Sequence, residues 1–194
     1  APTNCRALAL AAATAAQSWS ATRFNEYFKS TATATRTPFA SRLTSVDTEC
    51  GSSTTGATTY YCSHAYDYCE SNVLAYTLSS ANVVVNGHKY YTAPPSLSGT
   101  CHAQDQLTTA LHELTHAPGV YFPCTAEYWY GCAAVTALTS AKTVLDADSY
   151  ALYASAIHVG CFKFRKNQSV SLEQWRRDEG GRGGKGVEDL ALSR

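Results

Sequence analysis

Methionine is absent from this 194-residue chain, and Lys, Arg, Asp and Glu together make up only 15% of it, against about a quarter in an average soluble protein. Fifteen basic and fifteen acidic side chains cancel, which excludes a general nucleic-acid binder, since such proteins carry a clear basic excess. Long apolar runs are missing too. The uncharged stretch 7–16 is the nearest to one, and it is too short to cross a bilayer, so no membrane partner is expected. No two cysteines stand in a Cys-x-x-Cys pair, which argues against a thiolate zinc ribbon or a thioredoxin-type redox site. Disorder is excluded by the 45% of hydrophobic residues, enough apolar surface to build a core. A chain that opens Ala1-Pro2-Thr3-Asn4-Cys5 without methionine is read as a mature product after removal of a signal and pro-segment.

What is present begins with eight dispersed cysteines, at 5, 50, 62, 69, 101, 124, 132 and 161. An even, scattered set points to disulfides made in an oxidising compartment, hence to a secreted protein. The length suits one domain with a tail. Residues 6–30 are alanine-rich with Trp19, Phe24 and Phe28 recurring at helical spacing, and predict a helix. A polar break covers 30–37, a second helix lies near 41–46, and 51–59 reads as a loop. Two apolar runs, 73–78 and 83–85, predict strands, and Asn86-Gly87 predicts a hairpin turn into 88–91. A helix over 103–116 carries the apolar stripe Leu107, Ala110, Leu111 and Leu114, and Pro118-Gly119 stops it. Helical patterns follow at 133–139 and 148–159. Helices, a small antiparallel sheet and helices again make an α+β domain over 1–161. Residues 162–194 are basic, with eight basic against five acidic side chains, and glycine-rich from 180 to 186. They read as a flexible extension, helical at most over 170–177.

One short segment carries chemistry. His112-Glu113-Leu114-Thr115-His116 lies inside the predicted helix, so two imidazoles four residues apart project from one face and can converge on a single cation. Zinc bound there lowers the pKa of a water and polarises a scissile carbonyl, while Glu113 stands beside it as general base. A third protein ligand is needed. The extension His-x-x-Gly-x-x-His fails because position 122 is Phe122, and only Asp146 and Asp148 stand where another zinc-protease pattern places a glutamate. The nearest carboxylate after the helix is Glu127, in Cys124-Thr125-Ala126-Glu127-Tyr128-Trp129-Tyr130-Gly131. His64, His88, His102 and His158 lack partners at ligand spacing; His102, beside Cys101, is expected to orient a loop.

The segments from Cys101-His102-Ala103-Gln104-Asp105-Gln106 through the His112–Tyr121 stretch, with Asp148-Ser149-Tyr150-Ala151-Leu152-Tyr153-Ala154, Phe24-Asn25-Glu26-Tyr27-Phe28-Lys29 and Asn72-Val73-Leu74-Ala75-Tyr76-Thr77-Leu78, resemble the deuterolysin (aspzincin) family of fungal secreted zinc endopeptidases. The resemblance extends from Cys5 to Cys161 and implies a zincin-like fold with the His-Glu helix at its centre. It implies one Zn2+ held by His112, His116 and Glu127. The family's aspartate ligand, in a Gly-Thr-x-Asp-x-x-Tyr-Gly frame, is here Glu127, and Cys124 replaces the first glycine. By the same resemblance Tyr130 hydrogen-bonds the developing oxyanion, Tyr90 is a second tyrosine important for catalysis, and Asp148 holds a ligand histidine in its tautomer. Disulfides implied by the family are Cys5–Cys62 and Cys101–Cys161; its third bridge would join Cys69 to the position of Gly87 and cannot form. Cys50, Cys69, Cys124 and Cys132 remain and allow three pairings, of which Cys124–Cys132 with Cys50–Cys69 would clamp the loop of Glu127 and Tyr130.

Charge is unevenly spread. Between residues 44 and 141 a single basic side chain, Lys89, stands against seven acidic ones. A negative cleft favours cationic peptides, and deuterolysins likewise favour basic proteins. The expected partners are therefore protein or peptide substrates, acted on by a monomer. The alternative is a weakly active or inactive secreted fungal effector of the same fold, bound to a host protein.

Overall fold

The computed structural model describes residues 5–18, 21–52, 55–63, 66, 72–161 and 190–193. Helix α1 (Cys5–Gln17) buries Leu8, Ala9, Ala12, Ala13 and Ala16, a stripe of small side chains that lets a second helix approach closely. That neighbour is α3 (Thr33–Gly51), which packs along α1 more extensively than any other pair of elements. The polar break expected over 30–37 is shorter than its composition suggests, because α3 starts at Thr33. The Arg36 guanidinium donates to Ala16 O and Ser18 O, giving partners to carbonyls at the end of α1 that its own helix leaves open.

Between these two lies α2 (Ala21–Phe28), whose Phe24 and Phe28 are fully buried. They meet Phe39 of α3 and Tyr150 and Tyr153 of α8 (Ala147–Val159), which follows the short α7 (Ser140–Thr143), with Phe39 stacked on Tyr150 at 4.6 Å between ring centres. Against this aromatic layer sits α5 (Gln106–Thr115), every residue of which from Leu107 to Thr115 is buried. Asp105 caps it, its carboxylate accepting from Thr108 N at 2.7 Å while Thr108 Oγ1 accepts from Asp105 N, a reciprocal box that fixes where the helix starts. The helix thus begins later than the 103–116 pattern suggests, and it is enclosed on all sides rather than along one stripe.

The sheet covers the other side of α5. Strands β1 (Thr59–Tyr61), β2 (Ala75–Leu78) and β3 (Val83–Asn86) are joined by β4 (Leu190–Ser193) in the order β1-β3-β2-β4. β2 and β3 pair antiparallel, as expected, with Tyr76 opposite Val85 and Thr77 opposite Val84. β1 runs parallel to β3, so the sheet is mixed. β4 comes from the C-terminal extension and pairs antiparallel with β2, Ala191 facing Thr77; residues 162–189, including the helix considered at 170–177, lie outside the described residues. The hairpin turn is displaced from Asn86-Gly87. It is made instead by a 3-10 turn, Ser79–Ala81, and by Asn82 in the left-handed region at φ 50°. Gly87 sits before a short helix, α4 (His88–Thr92), where a strand was expected. No helix among the described residues is long and apolar enough to cross a membrane.

Among the described residues two disulfides are formed, and one differs from the expected pairing. Cys5 bonds Cys50, not Cys62. The two helices run antiparallel, so the first residue of α1 meets the last turn of α3 with Cα atoms 5.8 Å apart, within disulfide reach. Cys62 lies exposed just after β1 with a free thiol. Cys101 bonds Cys161, as expected. With Cys50 used, the Cys50–Cys69 pairing falls; Cys69 itself lies outside the described residues. Nor does Cys124 bond Cys132, both being free and half-buried. Cys132 instead faces His102 Nε2 at 3.8 Å, and burial, with Asp148 nearby, pushes its thiol pKa up to about 12.

Candidate metal centre

α5 carries His112 and His116 one turn apart, both buried. Their Nε2 atoms are 3.2 Å apart. Glu127 comes from the loop between α5 and α6 (Cys132–Val135), and its Oε2 lies 2.8 Å from His112 Nε2 and 3.4 Å from His116 Nε2. Two imidazole lone pairs and a carboxylate oxygen this close repel one another unless a cation stands between them. Zinc bonds of about 2.0–2.2 Å in tetrahedral geometry set ligand atoms about 3.3–3.6 Å apart. The observed separations are close to that spacing, so two nitrogens and one oxygen fit a single metal ion and leave its fourth position open.

Both outer ring nitrogens are engaged. His116 Nδ1 donates to Thr125 O at 3.1 Å, and His112 Nδ1 faces Asp148 Oδ1 at 3.5 Å. Each contact favours the tautomer with the proton on Nδ1, leaving Nε2 free as a ligand. Burial alone would make His112 less basic, but the Glu127 and Asp148 carboxylates outweigh it and hold its pKa well above the usual imidazole range. For Glu127 burial works in the opposite sense, raising its pKa, and is overcome by the two histidines, which leave it below the usual carboxylate range. The pocket therefore has a strong preference for positive charge.

Glu113 sits on the same helix, completely buried, with Oε2 accepting from Thr77 Oγ1 at 2.7 Å. Its Oε1 has no hydrogen-bond partner among the described residues. Burial raises its pKa against the pull of both histidines.

The loop reaches the helix because backbone groups pin it. Thr125 N donates to Thr115 O at 2.9 Å and Ala126 N to Leu145 O at 2.7 Å. Asp146, which caps α8 through Ser149, accepts from Tyr128 N at 3.0 Å and Trp129 N at 3.2 Å. Asp148 accepts from Gly131 N at 2.6 Å, and Gly131 lies at φ 80°, where a side chain would be strained. Arg42, buried on α3, donates to Pro123 O at 2.6 Å and Val144 O at 3.0 Å, tying both ends of the region to the core. Carboxylates and a guanidinium thus hold the loop where a Cys124–Cys132 bridge was expected to do so.

Six of the seven residues expected to carry chemistry converge here. The Tyr130 ring lies nearly parallel to the His112 imidazole, 5.9 Å between centres and 11° between planes. Tyr90 is placed elsewhere: it is buried on α4, with its hydroxyl donating to Gln106 O at the start of α5. Thr77, Thr125, Asp146 and Arg42 were not foreseen. Only Asp146 left a visible signal, as an aspartate three residues before Ser149 at a helix start.

The family model for the deuterolysin metalloprotease (M35) family matches residues 1–161. The chain belongs to that family. Among curated relatives, a neutral protease 2 homolog from Sclerotinia sclerotiorum is 63% identical over 157 residues, covering 81% of this chain and 44% of its own length. Penicillolysin from Penicillium citrinum is 57% identical over 158 residues, covering 81% of this chain and 45% of its own length. The deuterolysin-like chain thus spans less than half the length of these relatives. A zinc peptidase from Grifola frondosa has the same fold, with a TM-score of 0.64 at 18% identity, covering 80% of this chain and 90% of its own.

Proposed function

We propose that this deuterolysin relative is a secreted zinc endopeptidase that binds one Zn2+ through His112, His116 and Glu127. The observation that carries the reading is the convergence of three donor atoms within 2.8–3.4 Å of one another beside a buried, half-partnered glutamate. Zinc held there would polarise the scissile carbonyl and make an adjacent water more acidic. Glu113 takes the proton of the attacking water on Oε1 and returns it to the leaving amine. Tyr130, flanking His112, hydrogen-bonds the oxyanion as it forms. Asp148 keeps His112 in its ligating tautomer and fixes the Gly131 end of the loop at the same time.

The single basic residue against seven acidic ones over 44–141 supports a preference for basic protein substrates. The Cys5–Cys50 and Cys101–Cys161 disulfides support an extracellular site of action. Every residue of the site comes from one chain, so a monomer suffices.

The test is cleavage of a basic protein such as protamine by the purified protein, with bound metal measured on the same sample. Activity lost to a chelator and restored by zinc, with Glu113→Gln reducing kcat by about a hundred- to ten-thousandfold at unchanged zinc content, is the expected result. A metal-loaded protein that binds protamine without cleaving it would overturn the proposal in favour of a non-catalytic effector.

A further inference from the structure

We infer that Thr77 is a positioning residue for the reaction, setting which oxygen of Glu113 meets the water. The inference rests on Glu113 being the general base. Thr77 lies in β2, fully buried, with its side chain directed at α5. Its Oγ1 is 2.7 Å from Glu113 Oε2 and 2.9 Å from Glu113 O. A hydroxyl has one proton and can donate to only one of them at a time. Glu113 O already accepts from His116 N at 3.1 Å, whereas the carboxylate is the charged and therefore stronger acceptor. The proton belongs on Oε2.

The consequence follows from the softness of a glutamate's last torsion, which is broad and two-fold. A carboxylate with no anchor would exchange its two oxygens and sample orientations unsuited to proton transfer. One hydrogen bond on Oε2 halts that rotation and leaves Oε1, which has no partner among the described residues, as the oxygen available to the water. Once Oε1 has gained the proton, the Thr77 bond to Oε2 persists. The resulting acid therefore stays aimed for delivery to the leaving amine, and no proton is lost to or gained from Thr77 itself. A positioned base of this kind acts on kcat rather than on substrate affinity.

The alternative is that Thr77 serves only to tie β2 to α5 through Glu113 O. Thr77→Val keeps the β-branched shape and removes the hydroxyl, and Thr77→Ser keeps the hydroxyl in a smaller side chain. The expected outcome is a kcat lower by about ten- to a hundredfold in Thr77→Val. KM and bound zinc should stay near wild type, Tm should fall by only a few degrees because buried Oε2 loses its partner, and kcat should recover in Thr77→Ser. The infrared carboxylate stretch that disappears in Glu113→Gln should shift in Thr77→Val and return in Thr77→Ser. Unchanged kcat and an unshifted band in Thr77→Val, with Glu113→Gln inactive, would overturn the role of Thr77 alone. A fall in Tm or zinc content that accounts for the lost activity would make Thr77 a structural tie and overturn it as well. Full activity in Glu113→Gln would instead remove the general base, and the positioning role with it.

Discussion

α5 and the loop that follows it contribute donors to one cluster by different physical means. The helix delivers His112 and His116 by its own geometry: one turn separates them, a capped N-terminus sets the phase, and burial on all sides fixes the axis. The loop delivers Glu127 only because Asp146, Asp148, Thr115 and Arg42 hold its backbone from outside. On the proposed zinc reading, a helix ligand cannot move without the helix moving, whereas a loop ligand can adjust if its ties survive.

The difference can be broken most severely at the ligands. On the proposed reading, His112→Ala or His116→Ala should abolish both stoichiometric metal binding and proteolysis, since each removes one of the three donors that lie within reach of one cation. Glu127→Asp should retain metal, because the loop can close the gap left by one methylene and the family frame itself uses aspartate at this position. Metal analysis after extensive dialysis separates the two outcomes; an Asp variant as empty as the His variants would mean that the loop is as rigid as the helix.

The ties come next. Asp148→Asn keeps the shape but removes the charge facing His112 Nδ1 and weakens the hold on Gly131 N. Changes to such supporting partners lower metal affinity by about ten- to a hundredfold. Competition with a coloured chelator should show that loss, with the far-ultraviolet helix signal unchanged. An affinity equal to wild type would mean that the 3.5 Å contact contributes nothing to the site.

On the same reading, removing the metal should act on the two regions unequally. A ligand present at a hundred to a thousand times its Kd stabilises a protein by about 3–4 kcal/mol, equivalent to about 10 °C in Tm for a domain of this size. Chelation should lower Tm by that order. Amide exchange should accelerate over 124–131, including around the exposed Trp129, while the amides of α5 stay protected. Equal acceleration in both would place the helix ligands on the same footing as Glu127.

The same asymmetry explains what the sequence reveals. His112, Glu113 and His116 are legible because helical period alone brings them together, and Glu127 is legible because one carboxylate lies within reach of them. The antiparallel pairing of β2 and β3 is legible from two β-rich runs. Tertiary competition hides the rest. Asn86-Gly87 has the composition of a hairpin turn, but Asn82 takes the left-handed position instead and Gly87 opens a helix. Cys5 meets Cys50 because α1 and α3 pack antiparallel, a fact about helix packing that cysteine spacing does not contain. Thr77 reaches Glu113 from 36 residues away across the sheet–helix interface, and nothing local to Thr77 announces it.

The smallest effect concerns His102, which sits where the two regions meet. Its Nε2 contacts the Tyr27 hydroxyl and lies 3.8 Å from Cys132 Sγ, while Asp148 and Arg23 act on it electrostatically. Burial lowers its pKa below the ordinary 6.5, with Arg23 adding to that and Asp148 opposing it. The unfolded chain therefore binds a proton more readily than the folded one below pH 6.5. This contribution to stability is complete above that pH and is lost as pH falls toward the lower folded value. The slope from one such group cannot exceed about 1.4 kcal/mol per pH unit. Urea unfolding of the metal-saturated protein at pH 7.5 and 5.5 should show wild type losing more stability on acidification than His102→Gln. Parallel losses would show that His102 binds its proton equally well in the folded and unfolded chains and that the junction between helix and loop is insensitive to pH.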